Sequence, residues 1–403
     1  MLIGIVGKPS SGKTTFLNAS CLTTAKVGDH PFTTIKPNIG TAYLQTQCVE
    51  IEFKTKCKPK NSICLNGTRL IPIEILDVAG LVPGAHQGRG LGNQFLSDLS
   101  RADALIHIVD ISGSSDAEGN RMKPGFRDPL DDIKFLEEEI ALWFADIIQR
   151  KDWVKFVSQI ERSKGNFSEA IVERLSGLKI IKVHILNALK KAKLENILPS
   201  KWSSDDIIRF SRSLREVAKP MLIVANKIDQ PMGADNYNRL KKIYGEYIIP
   251  ASALAEYWLR KFAEQKIISY VPGAQNFQIS DSNLLKEEEI NALGKIRTNL
   301  LEPYGGTGVQ QVLNTAAFKL LDLVCVYPVY DVTKLSDKDG NVLPDVFLVK
   351  NGTPIKEFVA TCVHTELAEG FIHGIDAKTK MRLGESYLVK DKDVLKIVSA
   401  KGR

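Results

Sequence analysis

The sequence predicts a doubly wound α/β sheet that carries a helical insertion and is followed by a small β-rich domain. Unbroken apolar runs such as ALIHIVDIS and PMLIVANKID alternate with helical patterns, as in parallel strands that helices cover on both faces. About a hundred residues of mostly helical pattern separate these two runs, and from Val324 the runs become short and strand-like. We therefore expect a sheet domain at 1–112 and 213–323, a helical insertion at 113–212, and a third domain at 324–403.

The strands of the sheet can be placed in chain order. LIGIV is the first strand, and a Gly/Ser loop and a helix that starts near Lys13 follow it. GTAYLQT and VEIEFKT alternate like strands, and RLIPIEILDVAG predicts a strand that ends at Asp77. ALIHIVDIS, PMLIVANKID and YIIPASAL complete the sheet, and we expect functional loops where its strands end.

The insertion is predicted to contain an antiparallel helical hairpin. DPLDDIKFLEEEIALWFADII has Asp128 as its N-cap and Pro129 at the first helical position. SEAIVERLSGLKIIKVHILNALKKAKL forms the second helix with Ser168 as its N-cap, and SSDDIIRFSRSLREVA leads back to the sheet. Their apolar stripes predict mutual packing rather than a ligand groove.

The C-terminal domain combines short strands with one helix. VCVYPVYDV, VFLVK, MRLGES and VLKIVSA are the strand-like runs. The helix begins at TPIKEFV, with Thr353 as N-cap and Pro354 at the first helical position, and ends before Gly370.

Composition limits the functional classes. The 403 residues carry a net charge of +7, which is compatible with an RNA or ribosome partner and equally with ordinary surface lysines. No apolar run is long enough to cross a bilayer, and the N-terminus does not resemble a signal peptide, so we expect a cytoplasmic protein. A monomer is favoured, although nothing in the sequence sets the oligomeric state.

The six cysteines form no CxxC pairs. Cys48, Cys57 and Cys64 cluster in the segment CVEIEFKTKCKPKNSIC. A local disulfide and a metal site are alternatives there, and free thiols are favoured for a cytoplasmic protein.

The segment GKPSSGKT, from Gly7 to Thr14, matches the P-loop pattern G-x-x-x-x-G-K-[ST] between a strand and a helix. In such loops the backbone N–H groups surround phosphates at a helix N-terminus. Lys13 is expected to reach the β- and γ-phosphates, and the Thr14 hydroxyl is expected to bind Mg²⁺. The predicted phosphate-binding residues are Gly7, Pro9, Ser10, Ser11, Gly12, Lys13, Thr14 and Thr15.

Two further segments have the pattern of a γ-phosphate sensor. Asp77 and Gly80 form D-x-x-G, in which the Asp holds Mg²⁺ and the Gly N–H contacts the γ-phosphate. In HPFTTIKPNIG, Thr33 and Thr34 both qualify as the hydroxyl that binds Mg²⁺ when the γ-phosphate orders the loop.

The NKID segment, from Asn226 to Asp229, indicates a guanine site. The Asp229 carboxylate can accept hydrogen bonds from guanine N1–H and the 2-amino group, whereas adenine offers no such pair of donors. Lys227 would lie over the base or brace the P-loop. The segment SAL, from Ser252 to Leu254, follows the next predicted strand. Its Ala253 N–H is predicted to reach guanine O6.

With four motifs in this order, the chain resembles the Obg family of GTPases and its YchF/Obg-like ATPase branch. HPFTTIKPNIG and DVAGLVPGAHQGRGLGNQFLSDL carry the resemblance, which extends over essentially the whole chain. It implies that Thr34 is the switch threonine, that the C-terminal domain is a β-grasp TGS-type domain, and that a ribosome or tRNA is a partner. The intact NKID is similar to archaeal members and implies a preference for GTP. Ser10 replaces an Asn that is associated with K⁺ in some relatives, which leaves K⁺ stimulation open.

Leu81 stands where Ras-like proteins carry the glutamine that orients water. A leucine side chain can neither donate nor accept a hydrogen bond, so another group must act. His86, Gln87 and Arg89 are candidates; His107, in ALIHIVD, is expected to be a core residue. We expect slow GTP hydrolysis that depends on Lys13, Thr34 and Gly80. The alternatives are an ATPase, and an RNA- or ribosome-binding module in which nucleotide is a structural ligand.

Overall fold

The computed structural model describes residues 1–21, 38–78, 92–150, 152–281 and 284–401. The described residues form two compact units. The first unit contains most of the N-terminal three quarters of the chain, and the second joins 42–73 to the C-terminal residues from 313 onward.

Seven strands of the described residues form the main sheet, in the order β2-β4-β1-β5-β6-β7, with β3 beside β4. Strand β1 is parallel to β4 and β5, and the pairs β5–β6 and β6–β7 are also parallel. The carboxyl ends of these strands therefore lie at one edge, where doubly wound sheets bind ligands. The strands are β1 (Leu2–Val6), β2 (Ile39–Gln47), β3 (Ile63–Leu65), β4 (Thr68–Asp77), β5 (Ala104–Asp110), β6 (Met221–Asn226) and β7 (Ile248–Ala251).

Every residue of β1 and β5 is buried, as the unbroken apolar runs predict for strands covered on both faces. Helices and a short hairpin complete this part of the chain. The helices are α1 (Lys13–Cys21), α2 (Gly92–Arg101), α3 (Pro129–Gln149), α4 (Trp153–Arg162), α5 (Phe167–Arg174), α6 (Lys182–Ala192), α7 (Ser204–Ala218), α8 (Gly233–Tyr244), α9 (Ala253–Glu264), α10 (Glu287–Ile296), α11 (Glu302–Tyr304) and α12 (Val309–Asn314). The hairpin pairs β8 (Ile268–Ser269) with β9 (Gln278–Ile279).

The insertion begins as predicted but contains more helices than a hairpin. The Asp128 carboxylate accepts a hydrogen bond from Leu130 N–H, so Asp128 is the N-cap of α3. The predicted second helix is divided into α5 and α6, because the chain turns at 176–178 and Lys179 adopts a left-handed conformation. Ser168 is not its N-cap; Asn166 accepts hydrogen bonds from the first N–H groups of α5 instead.

In the second unit, a five-stranded sheet has the order β11-β10-β14-β12-β13 among the described residues. The central pair β10–β14 is parallel and the other pairs are antiparallel. Its strands are β10 (Leu323–Val329), β11 (Phe347–Lys350), β12 (Phe371–Asp376), β13 (Arg382–Leu383) and β14 (Asp393–Ser399), and its helices are α13 (Ile355–Phe358) and α14 (Thr365–Glu369) with a π-helical turn at Val359–Val363 between them. Strand β12 was not among the predicted strands.

The cap of this helical segment also differs from the prediction. Pro354 is the residue that precedes the helix, in extended conformation. The Thr353 hydroxyl donates to the Lys350 carbonyl oxygen and does not cap the helix. The predicted end before Gly370 agrees with α14, whose last residue is Glu369.

The segment VEIEFKT is not a strand. Phe53 N–H donates to Val49 O and Thr55 N–H to Glu50 O, which are the local bonds of consecutive turns. In the unit that contains this segment, Asn314 makes two hydrogen bonds with Gln45 and Arg69 donates to Leu343 O. These contacts explain why 42–73 groups with the C-terminal residues, a division that the sequence-based boundaries do not contain.

None of the helices in the described ranges is both long enough and apolar enough to span a bilayer.

Candidate nucleotide-binding site

The P-loop follows β1 and wraps tightly around the start of α1. Gly7 and Gly12 have φ values of +147° and +101°, which side chains with a Cβ rarely adopt. A Cβ on Gly7 would lie 2.4 Å from the Ile108 carbonyl oxygen, and one on Gly12 would lie 2.3 Å from Asn226 Nδ2. Both glycines are therefore required by close packing as well as by conformation.

Lys13 is held inside the loop. Its Nζ donates to the Lys8 carbonyl oxygen at 2.9 Å, and the same oxygen accepts the Ser11 hydroxyl at 3.0 Å. Burial lowers the pKa of Lys13, and the nearby Asp77 carboxylate opposes that change. This amine is the cation that an incoming phosphate would meet.

Asp77 ends β4 and faces the start of α1. Thr14 Oγ1 donates to Asp77 Oδ2 at 3.1 Å, while Asp77 Oδ1 is buried and has no hydrogen-bond partner in the described structure. Burial raises the Asp77 pKa, and the Thr14 hydrogen bond and the Lys13 charge oppose the rise. A hydroxyl and a carboxylate with a free buried oxygen are ligands that Mg²⁺ accepts, so these two predicted residues fit a magnesium ion.

Asn226 joins the P-loop to the first residue of α9. Its Nδ2 donates to Ser11 O at 2.8 Å, and its Oδ1 accepts the Ala253 N–H at 3.0 Å. The predicted contact of that N–H with guanine O6 thus competes with a bond inside the protein. Ser252 caps α9, with its Oγ accepting from Ala255 N–H at 3.4 Å.

Lys227 has a left-handed backbone with φ of +64°, and its Nζ lies 2.9 Å from Asp110 Oδ2. Asp110 ends β5 and also accepts hydrogen bonds from the Ser112 and Ser115 hydroxyls. Burial would raise the Asp110 pKa, but Lys227 and these hydroxyls lower it overall. Lys227 is thereby fixed beside the P-loop. Sequence reasoning missed Asp110, although an acid that ends a buried strand before ISGSS was a usable signal.

These elements enclose a cavity of about 590 Å³, within the usual range for small-ligand sites. The predicted residues that line it are Ser10, Gly12, Lys13, Thr14, Thr15, Asn226, Lys227, Asp229, Ser252 and Leu254. The residues that sequence reasoning missed are Ser114, Ser115, Gly119, Arg121 and Gln230. The Asp229 side chain is exposed and accepts a hydrogen bond from Gln230 Nε2 at 3.0 Å.

Gly7, Pro9, Ser11 and Ala253 do not line the cavity, but Pro9 and its neighbour Lys8 support its wall. Gly119 packs against Pro9 so closely that a Cβ would lie 2.6 Å from Pro9 Cβ. Lys8, buried behind the loop, donates to Ser115 O at 2.8 Å and pairs with Asp132 at 2.7 Å. The loop after β5 is thus held against the P-loop by contacts with Lys8 and Pro9.

Several predicted residues lie outside the described part of the chain. These are Thr33, Thr34, Gly80, Leu81, His86, Gln87 and Arg89. Their roles at the γ-phosphate stay predictions.

His107 is a core residue, as expected. It lies in the middle of β5 with 1% of its surface exposed, and it does not line the cavity. Burial lowers its pKa to about 3, helped by the charges of Lys13 and Arg215. Because His107 is buried and does not line the cavity, its side chain is not available to orient water there.

Two family models match the chain. Residues 2–142 match the 50S ribosome-binding GTPase family, and residues 224–331 match the Obg-like GTPase YGR210-like, G4 motif-containing domain. These two segments contain all four nucleotide motifs.

Full-length relatives extend the similarity. The chain is 46% identical to an uncharacterized GTP-binding protein of Methanocaldococcus jannaschii, with 99% of each chain covered. It is 39% identical to an uncharacterized GTP-binding protein of Schizosaccharomyces pombe over 88% of each chain. It is 27% identical to the ribosome-binding ATPase YchF of Bacillus subtilis over 97% of each chain.

Solved structures agree with the fold. The crystal structure of a GTP-binding protein from Pyrococcus horikoshii has a TM-score of 0.78 and 37% identity, covering 99% of this chain and 100% of that one. The Schizosaccharomyces pombe YchF GTPase has a TM-score of 0.57 at 18% identity, covering 99% and 97%, and supports the fold alone. The predicted α/β fold with helices and a separate C-terminal sheet is confirmed.

Proposed function

The chain belongs to the Obg-like GTPase family of the YchF type, and on that premise we propose that it binds GTP and hydrolyses it slowly as a nucleotide-dependent switch. One observation carries this proposal. The P-loop, the NKID segment and the Ser252–Leu254 segment, which are far apart in sequence, line the same cavity.

Different residues of the cavity would bind different parts of the nucleotide. Lys13 would exchange its bond to the Lys8 carbonyl for phosphate oxygens. Lys227, held by Asp110, would cover the base. The exposed Asp229 carboxylate is free to exchange its Gln230 partner for guanine N1–H and the 2-amino group.

Thr14 and Asp77 would hold Mg²⁺, with Thr34 as a third ligand. The bound ion supplies positive charge to the β- and γ-phosphates. Lys13 would add a second positive charge, within a loop whose backbone N–H groups would surround the phosphates. Gly80 would contact the γ-phosphate through its N–H.

The test of the nucleotide assignment is a calorimetric titration of the full chain with GTP, GDP and ATP in Mg²⁺. Wild-type protein should prefer GTP, and Asp229→Asn should lose at least about tenfold in GTP affinity. Asp235→Asn, an exposed acid on α8, is the matched control and should bind like wild type. Equal affinity for GTP and ATP in the wild type would favour the ATPase alternative.

Hydrolysis is expected to be slow because Leu81 offers no hydrogen bond to water. Leu81→Gln should not raise single-turnover GTP hydrolysis substantially, since a different switch geometry orients the water. A large rate gain in that assay would contradict the proposal. The same assay in Na⁺ and in K⁺ determines whether K⁺ acts with this P-loop.

The proposed partner is the ribosome or a tRNA in the cytoplasm. The name of the Bacillus subtilis relative and the net charge of +7 support this assignment. Cosedimentation with ribosomes should differ between GDP and a non-hydrolysable GTP analogue. Identical binding in both states would favour a ribosome-binding module in which nucleotide is structural.

A further inference from the structure

Three cysteines and a glutamate meet where the segment after β2 packs against β3. The three Sγ atoms of Cys48, Cys57 and Cys64 and one carboxylate oxygen of Glu50 all lie within 4.8 Å of one another. Cys48 and Glu50 are buried, and Cys57 and Cys64 are half-buried. The group is formed entirely by residues of the second unit.

The distances do not correspond to a disulfide. Cys48 Sγ and Cys57 Sγ are 3.9 Å apart, whereas a disulfide bond is about 2.05 Å long. The Cys64 thiol instead donates to Glu50 Oε1 at 3.1 Å, and all three cysteines are free.

The distances are close to those of a tetrahedral metal centre. With Zn–S bonds of about 2.3 Å and a Zn–O bond of about 2.0–2.2 Å, the ligand atoms of a tetrahedron lie roughly 3.5–3.8 Å apart. The distance of 3.9 Å between Cys48 Sγ and Cys57 Sγ lies just above that range, and the distance of 3.1 Å between Cys64 Sγ and Glu50 Oε1 lies below it. Small side-chain adjustments would therefore bring four ligands onto one ion.

The surroundings orient the carboxylate and supply a counter-charge. Glu50 Oε2 accepts the Cys57 backbone N–H at 2.8 Å, which holds the carboxylate towards the thiols. Arg69 is fully buried, and its positive charge acts on both Glu50 and Cys57. Its Nη2 donates to Leu343 O, but its Nε and Nη1 have no partner in the described structure.

We propose that Cys48, Glu50, Cys57 and Cys64 form a structural Zn²⁺ site. Three thiolates, one carboxylate and Zn²⁺ give the centre a net charge of −2, and Arg69 offsets part of it. All four tetrahedral positions are taken by protein, as in structural rather than catalytic zinc centres. Zinc would hold the turns at 48–57 against β3.

Zinc binding must displace the thiol protons. Burial and the Glu50 hydrogen bond raise the pKa of Cys57 to about 12, and burial with the same carboxylate raises that of Cys64. Because the thiolate is the form of cysteine that binds a metal, zinc uptake should release protons.

The experiment uses the reduced full-length chain, stripped of metal and titrated with Co²⁺ and then Zn²⁺. One equivalent of Co²⁺ should give a thiolate charge-transfer band and tetrahedral visible bands, which Zn²⁺ removes. Cys57→Ser and Glu50→Gln should each weaken binding by at least about tenfold. Cys362→Ser, a half-buried cysteine of the same unit outside the cluster, should bind like wild type.

The absence of these bands in folded wild-type protein would overturn the proposal. So would non-reducing mass spectrometry that finds a Cys48–Cys57 disulfide in freshly purified protein with no bound zinc. If Cys57→Ser does not fold, the wild-type titration and Glu50→Gln still decide, because equal Zn²⁺ affinity in Glu50→Gln would exclude the carboxylate as a ligand. None of these readouts depends on nucleotide binding.

Discussion

Asn226 connects two motifs that lie far apart in the chain. Its side-chain amide satisfies the Ser11 carbonyl and the Ala253 N–H, and both of these groups are buried. The residue is 3% exposed and does not need to touch nucleotide in order to shape the cavity. Asn226 contributes to the site by fixing the distance between the P-loop and the start of α9.

Asn226→Ala should reduce both stability and nucleotide affinity. Two buried polar groups would lose their partners, at a cost of about 1–3 kcal/mol each in the free energy of unfolding. Nucleotide affinity should fall at least about tenfold because the P-loop loses its support. Chemical denaturation and titration calorimetry measure the two effects, with the exposed Asn238→Ala on α8 as the control. Unchanged affinity in a folded variant would contradict the positioning role.

His107 predicts a dependence of stability on pH. Its pKa is about 3 in the folded chain and near 6.5 when unfolded, so between these values only the unfolded chain binds the proton. Stability should therefore fall as the pH drops below 6.5, by about 2–3 kcal/mol at pH 4.5. His107→Leu should remove that part of the slope in denaturation at pH 7 and pH 4.5.

The matched control for this pH prediction is His373→Leu, a half-buried histidine in β12. That variant should keep the wild-type slope. An unchanged slope in His107→Leu would mean that other groups cause the loss of stability in acid.

At the scale of elements, a buried ionic group fastens α9 to its neighbours. Arg260 Nε lies 2.5 Å from Glu256 Oε1, and Glu256 Oε2 accepts hydrogen bonds from the Tyr270 and Thr307 hydroxyls. Arg260 also donates to Ser20 O at the end of α1. The Glu256 carboxylate therefore links α9 to Tyr270, which precedes β9, and to Thr307, which precedes α12. Through Arg260 it is also linked to α1.

Glu256→Gln should destabilise the protein by about 3–5 kcal/mol. The substitution keeps the volume but leaves the Arg260 guanidinium, which is 4% exposed, without a compensating charge. Thermal and chemical denaturation measure the loss, and Glu264→Gln at the exposed end of the same helix should change stability by less than about 0.5 kcal/mol. Equal stability of the two variants would show that the carboxylate charge is dispensable.

The elements that sequence alone predicted are those with strong local signals. The buried strands and the Asp128 cap of α3 depend on patterns within a few residues, as do the P-loop and NKID. VEIEFKT alternates like a strand, but its backbone bonds close locally into turns. Ser168 has the right residue type for a cap, yet Asn166 stands two positions earlier and takes the N–H groups.

At the nucleotide site, too, sequence patterns predicted only the residues that belong to local motifs. Ser114, Ser115, Gly119 and Arg121 line the cavity, and Lys8 and Pro9 of the P-loop contact the loop that carries them. No spacing in the sequence relates these residues to the P-loop. Such tertiary contacts become visible only once the fold is known.

At the scale of the whole molecule, the second compact unit joins two segments that are far apart in the sequence. Lys58 N–H donates to Val342 O, Lys60 N–H donates to Pro344 O, and Asn61 exchanges two hydrogen bonds with Val346. Residues 42–73 are thus completed by residues beyond 323 within one unit. A boundary at 324, drawn from the change in sequence pattern, separates partners that the fold brings together.

A chain truncated after residue 323 should therefore lose the structure of 42–73, although the sequence-based division leaves that segment in the remaining domain. The truncation removes the Leu343 and Pro344 carbonyls that bind Arg69, as well as the backbone partners of 58–60. Amide exchange of 42–73 should become fast, while β1 and β5, buried along their whole length, should stay protected. Lys60→Ala in the full chain is the control: it removes the ion pairs of an exposed lysine with Asp337 and Asp339 and should leave amide protection intact. Full protection of 42–73 in the truncated chain would restore the boundary at 324, because that segment would then fold without the C-terminal residues.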